Sequence, residues 1–354
     1  MDNPVSNPTT LKTIREGLIS LLTDFVNDAG FITELNLVME FVHELASYRE
    51  EGIEFFPNVF LLKKTPEIDP LSMIAPGADR IPLKSTERNE SAAKILKDCA
   101  ALATEGWSVF VDIENDALRY GLFRSESLPI SVSSAEMLAD PNTNTGVGIL
   151  IRNCARNCIE LLTGQGRRME LALSSARSTG QSTAAAFLEL ARQVTVSSIG
   201  LDETTATVYL ERTLRRICNQ CHGTMVVVIE GNQVPPEFQD GVILASPIDF
   251  LDAFRELGQG KSAASLSRVQ SHEALLRGMI QSDGITLLSN KGQILGFRVF
   301  VKPNENERVK LDTMNIRGGA RSRAHELVKM RIGRTVTCVF FRSQDGHTVC
   351  TVNQ

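Results

Sequence analysis

The chain has 354 residues, 42% hydrophobic and 22% charged, the balance of a globular protein rather than a fibre or a disordered tail. Its 37 basic and 42 acidic residues leave a net charge of −5, which speaks against non-specific coating of nucleic acid but leaves room for a local basic patch. No stretch of about 18 apolar residues occurs, so no membrane-spanning helix is expected.

Length alone predicts two domains or three. The opening MDNPVSNPTT lacks a basic patch followed by an apolar stretch, so no secretory leader is expected. Seven cysteines are an odd number scattered over a long chain. Reduced thiols and a cytoplasmic location are the expectation.

In chain order, residues 9–28 and 33–49 carry apolar side chains at three- and four-residue steps and predict two amphipathic helices, separated at Asp28-Ala-Gly30. The stretch 50–90 is rich in Pro, Gly and charge around an apolar run at Val59–Leu62. A helix is expected over Ser91–Thr104, then a hairpin of Trp107–Ile113 and Leu118–Phe123. Gly146–Ile151 is another short apolar run, and Arg152–Leu162 and Ser182–Val194 read as helices. The small, polar tract 175–186 is a linker or a helix start. The texture changes near Thr204. Tyr209–Gln220 is a helix with three arginines, and Gly223–Glu230 is a near-continuous apolar run that suits a strand covered on both faces. Gly284–Ser289 and Gln293–Val301 flank Asn290-Lys-Gly292 as a hairpin. A Gly-Gly turn leads into a helix over Arg317–Gly333, and a second hairpin pairs Thr335–Phe341 with His347–Val352. Interleaved strands and helices make both parts α/β, the C-terminal one with a mixed sheet. The expected division is an α/β domain with N-terminal helices over 1–200 and a mixed-sheet α/β domain over 201–354.

Several short motifs carry little. Cys218-Asn-Gln-Cys221-His222 has the spacing of a c-type haem attachment, but nothing points to export and no second ligand pair is spaced for zinc. Buried, inert thiols are the expectation. Gly258-Gln-Gly260-Lys261-Ser262 ends like a phosphate-binding loop but lacks its first glycine and follows a helix, so a solvated turn is expected. Gly164-Gln-Gly166 lacks the third glycine of a dinucleotide fingerprint.

Residues 281–334 are the informative stretch. Asp283-Gly284 stands where a loop enters a strand, so its carboxylate is fixed by the sheet yet open at the rim. Such a group suits holding a divalent cation or taking a proton from a sugar hydroxyl. Gly284 would let a ligand approach the backbone. Gly318-Gly319-Ala320-Arg321-Ser322-Arg323 opens a helix, and free amides at a helix start together with guanidinium groups make an anion site. Arginines two positions apart cannot share a helix face, so one is expected on phosphate and the other paired internally. Eight basic residues against four acidic ones between Glu305 and Arg334 favour a small polyanion over a duplex.

Taken together and in order, GTMVVVIEG, the QSDGITLL–NKG–QILGF hairpin, GGARSRAHELVK and the terminal hairpin resemble the diadenylate cyclase domain, over roughly residues 204–354. That family's apolar strand, Asp-Gly-Ala motif and Gly-Thr-Arg-His-Arg motif stand here as Gly223-Thr-Met225, Asp283-Gly284-Ile285 and Gly319-Ala320-Arg321-Ser322-Arg323. Ile285 replaces the family's Ala, Ala320 its Thr and Ser322 its His. The resemblance implies condensation of two ATP molecules, or related nucleotides, into a cyclic dinucleotide such as cyclic di-AMP, with release of pyrophosphate. It implies Asp283, Arg321 and Arg323 as the catalytic set, with Asp283 also holding Mg²⁺ or Mn²⁺. Gly284, Ile285, Val301, Gly319, Ala320 and Ser322 would bind the nucleotide. It further implies a head-to-head homodimer or higher oligomer, and makes 201–354 a diadenylate-cyclase-like nucleotidyltransferase domain and 1–200 an α/β sensor-like domain. From the charge and the lack of a long apolar run, no membrane and no nucleic acid is expected as partner. The alternative is a catalytically impaired nucleotide-binding sensor or scaffold.

Overall fold

The computed structural model describes residues 19–353 apart from 88–89, 105, 115–116, 127–130, 144–147, 156–157, 174–181, 199–201, 222, 261, 317–318 and 344–345. The expected helix over 9–18, the tract 175–181, His222 and Gly318 therefore lie outside the described residues. The chain divides into two compact units, residues up to 173 and residues from 174 onward, with the short segments 128–130 and 154–157 grouped with the second. The sequence expectation set the division at 200.

The first unit opens with helices α1 (19–28) and α2 (Leu35–Leu45) and a small hairpin of β1 (Arg49–Glu50) and β2 (Ile53–Glu54). Then come β3 (Val59–Lys63), α3 (Pro70–Ile74), β4 (Arg80–Glu87), α4 (Ala92–Cys99), β5 (Trp107–Ile113), β6 (Ala117–Arg124), α5 (Ser134–Ala139), β7 (Gly148–Ala155), β8 (Cys158–Thr163) and β9 (Arg168–Ala172). The sheet order is β4-β6-β5-β3-β7-β8-β9. Only β3 and β5 run parallel among its described pairings. One face of the sheet packs Val59, Leu61, Val109 and Val111 against Phe25, Phe41 and Ile95 of α1, α2 and α4. The other packs Phe60, Leu62 and Phe110 against Leu71 of α3 and Leu138 of α5. The helix expected over Arg152–Leu162 is instead the end of β7 and most of β8. Pairing with β3, where Val59 faces Ile151 and Leu61 faces Ile149, overrides the helix-forming residues of that stretch.

The second unit begins with α6 (Thr183–Thr195) and α7 (Glu203–Asn219), whose caps are Ser182 and Asp202. It continues through β10 (Thr224–Ile229), β11 (Phe238–Gln239), β12 (Val242–Asp249), α8 (Phe250–Gly260) and α9 (Ala263–Gln281). It closes with β13 (Ile285–Ser289), β14 (Gln293–Val301), α10 (Glu305–Thr313), α11 (Ala320–Lys329), β15 (Val336–Arg342) and β16 (Thr348–Val352). The order is β11-β14-β13-β10-β15-β16, with β12 also on β14. Strands β10 and β13 are parallel and the other pairs antiparallel. Every residue of β10 is buried, as its unbroken apolar run requires. Val226 and Val228 face α6, α7, α8 and α9, while Met225 and Val227 face Val328 of α11. Gly258 and Gly260 belong to the last turn of α8, not to a separate solvated loop.

The two sheets follow one path. Replacing β3, β4, β5, β6, β7 and β8 by β10, β12, β13, β14, β15 and β16 turns the run β4-β6-β5-β3-β7-β8 into β12-β14-β13-β10-β15-β16; β9 and β11 have no counterpart in this match. In each unit the opening helices share a face with the helix before the second parallel strand. In each, the helix leading into β7 or β15 covers the opposite face.

Candidate functional site

The site is assembled where α9 hands over to β13. Asp283 lies in the two-residue gap after Ser282, the C-cap of α9, and its side chain is 81% exposed. One carboxylate oxygen accepts from Arg321 Nη2 at 3.1 Å, although 38 residues separate the two in sequence. The Arg321 hydrogen bond, helped by the Gly284 amide, holds the Asp283 carboxyl below the usual carboxylate range. Asp283 is thus an ionised, solvent-facing carboxylate at the amino ends of the parallel strands β10 and β13.

Gly284 has φ +97, and a Cβ there would lie 2.9 Å from the Cα and carbonyl carbon of Arg298. Arg298 itself sits at φ +55 in an irregular stretch of β14. The glycine is therefore demanded by the crossing of two backbones, and the space expected for a ligand is filled by β14. Ile285 is only 2% exposed and belongs to the core beneath α11. The structure places its side chain in packing rather than along an open pocket. Val301 is half-buried at the end of β14 against the same cluster.

Gly319 is the N-cap of α11, with no side-chain cap among the described residues; the amides of a helix start are donors suited to an anion. Ala320 is exposed and Ser322 half-buried. Arg321 and Arg323 diverge as the helical step requires. Arg321 reaches Asp283, whereas Arg323 pairs with Asp312 of α10. The basic excess of 305–334 is also tempered deeper in. Buried Arg331 makes bonds of 3.0 and 2.8 Å to Glu307 and one of 2.7 Å to the Lys302 carbonyl.

Cys221, Arg277 and Arg342, not singled out as site residues, share this edge. The guanidiniums of Arg342 and Arg277, and that of Arg321, act electrostatically on the thiol of Cys221. Arg342 stands opposite Thr224 in the β10–β15 register, and Arg277 lies in the last turns of α9. No spacing in the sequence links 221, 277 and 342. Only the strand register and the end of α9 bring them to one edge. On strands β7, β8 and β9, Cys154, Cys158 and Glu170 offer ligand atoms within 4.8 Å of one another, a grouping that cross-strand pairing creates and linear spacing hides.

Comparison with protein-family models and with curated proteins gives no match for this chain.

Proposed function

We propose that the second unit binds a nucleoside triphosphate and condenses two such molecules into a cyclic dinucleotide, as a member of the diadenylate cyclase type. The observation that carries this is the Asp283–Arg321 pair. A carboxylate at a strand entrance and a guanidinium at a helix start stand at hydrogen-bond distance, as a polyphosphate and its hydroxyl nucleophile require. The first unit shares the strand path but not this arrangement. Its helix α5 is closed by a capping box in which the Ser133 hydroxyl accepts from the Glu136 amide and the Glu136 carboxylate accepts from the Ser133 amide.

In this mechanism the amino end of α11 and the Arg321 guanidinium receive phosphate oxygens, which releases Asp283 from its ion pair. Asp283 then orients the 3′-hydroxyl and accepts its proton as it attacks the α-phosphorus of the second nucleotide. Pyrophosphate leaves, and the reciprocal attack closes the ring. Mg²⁺ is ordinarily held by one or two carboxylates plus substrate phosphates, and the exposed, ionised Asp283 fits that donor set. Bound there, a divalent cation supplies neutralisation of the polyphosphate charge. One chain holds one half of the reacting pair, so a head-to-head homodimer follows from the same reading.

A second reading is nucleotide binding without turnover. It draws on Ala320 and Ser322, which stand where hydrogen-bonding Thr and His are expected, and on Arg323, which is engaged by Asp312. One experiment separates the two. The full chain is incubated with ATP, then GTP, then their mixture, with Mn²⁺ or Mg²⁺. Pyrophosphate and a cyclic dinucleotide identified by mass establish the first reading. Saturable triphosphate binding with no product establishes the second, and absence of both sinks the two together.

A further inference from the structure

The Cys218–Cys221 spacing serves neither haem nor the proposed cyclase chemistry, yet its surroundings are specific. Cys218 closes α7 and is fully buried, whereas Cys221 is half-buried. The Cys221 amide bonds to the Cys218 carbonyl at 3.1 Å, closing a turn just past the end of α7. The ends of such a turn have Cα atoms less than about 7 Å apart, a separation that overlaps the range a disulfide spans. Cys221 Sγ also lies 3.3 Å from the Ile217 carbonyl.

Burial decides which sulfur a small disulfide reaches first. Cys221 is half-buried and Cys218 has no exposed surface, so Cys221 is the accessible partner and Cys218 the buried resolving thiol. A helix carboxyl end disfavours a thiolate, and burial pushes in the same direction; the Cys218 side chain and then the guanidiniums of Arg342, Arg277 and Arg321 oppose both and lower the Cys221 thiol.

We propose that Cys218 and Cys221 form a reversible redox pair on the cationic edge of the candidate nucleotide site, oxidised by a low-molecular-weight disulfide of the glutathione type. The Cys221 thiolate attacks one sulfur of the small disulfide and releases one small thiolate. Cys218 loses its proton, attacks Cys221 in the mixed disulfide and releases the second small thiolate. The protein gives up two electrons and two protons, and one small disulfide becomes two thiols. Its coupling to polyphosphate rests on the reading of Arg321 as a phosphate ligand. An anion on that guanidinium withdraws positive charge from Cys221, and occupied nucleotide therefore protects the pair from oxidation.

The test uses the full chain and needs no turnover. After exposure to oxidised glutathione, the expected result is loss of two alkylatable thiols, no retained glutathione, and one tryptic peptide spanning Cys218 and Cys221 that is lighter by two hydrogens. Reductant reverses it, and Cys221→Ser abolishes it. Inorganic tripolyphosphate is then added to the reduced chain. It should slow iodoacetamide labelling of Cys221, in proportion to the thiolate fraction lost. The proposal is overturned if all thiols stay alkylatable or if glutathione remains as a stable adduct. It is overturned as well if the link maps to Cys338 and Cys350, whose sulfurs lie 3.1 Å apart in the buried core, or if tripolyphosphate leaves the labelling rate unchanged. A chain that passes while making no cyclic product loses only the cyclase reading. One that makes product and fails loses only this proposal.

Discussion

At the residue scale, the site separates into side chains that face solvent and atoms that hold the scaffold. Asp283 is exposed and its ion pair with Arg321 is a surface pair, a class worth about 0–1 kcal/mol. Asp283→Asn should move Tm by no more than about 4 °C while lowering product formation at least about 100-fold. Arg321→Ala should weaken triphosphate binding more than monophosphate binding, since the guanidinium meets the polyphosphate end. Near-normal turnover in the first variant, or equal losses for both ligands in the second, would remove these roles. Gly284→Ala belongs to the other class. The added methyl meets the Arg298 backbone at 2.9 Å and the residue is held at φ +97, so a destabilisation of roughly 1–3 kcal/mol is expected. Denaturant midpoints measured with and without nucleotide check this. An unchanged midpoint would mean that the glycine serves the ligand, not the strand crossing.

At the scale of elements, α6, α7, β10, α11 and both hairpins of the second unit were legible, because β10 is apolar throughout and a Gly-containing turn fixes the β13–β14 reversal, whereas β12, α9 and α10 were not read. The Asp283 and Arg321 positions were legible as a strand entrance and a helix start. Their pairing was not, nor were Arg277 and Arg342, because register across the sheet is a long-range property. The β7–β8 hairpin was misread as one helix. Ile149, Ile151, Ile159 and Leu161 are buried on one face with period two, but the intervening Asn, Cys, Ala and Arg residues blur that alternation. The domain boundary was displaced for a similar reason. Helix α6 carries no chemistry, yet Ala186, Phe187, Leu190, Ala191 and Val194 are buried in the core of the second unit, with Phe187 5.1 Å from Phe340 of β15. A chain starting at Ser182 should therefore fold cooperatively. One starting at 201 exposes that apolar face and should be insoluble or lose several kcal/mol, at about 1.5–3 kcal/mol for each large apolar contact surrendered. Urea unfolding of the two truncations side by side checks this, and equal stability would place α6 outside the cooperative unit.

At the scale of the whole molecule, the two units share a strand path but bury opposite kinds of titratable group. In the first, Asp112 of β5 is 5% exposed, and burial raises its carboxyl to about 6, with Asp69 and Glu114 reinforcing and Lys64 and Arg80 opposing. In the second, His325 of α11 stacks on Phe341 with centroids 4.8 Å apart. Burial lowers its pKa to about 4, with Lys329 and His347 reinforcing and Glu326 opposing. The signs follow from proton binding. Between pH 6.5 and 4 the unfolded chain protonates His325 and the folded chain does not, so that contribution is present above 6.5 and lost as pH falls. Asp112 is protonated in the folded chain first, so its contribution is present below 3.8 and lost as pH rises through 6. From pH 7 to 5 the second unit should lose about 2 kcal/mol and the first gain about 1 kcal/mol. The single tryptophan, Trp107, stands on β5, so its fluorescence follows the first unit alone. On acidification to pH 5 the Trp107 transition should hold or rise, while a second transition seen by circular dichroism should fall by roughly 4–8 °C. His325→Phe keeps the ring and cannot protonate, so it should flatten the second slope and leave the first intact. Parallel shifts of both transitions, or an unchanged slope in the variant, would show that these two buried groups do not set the pH response.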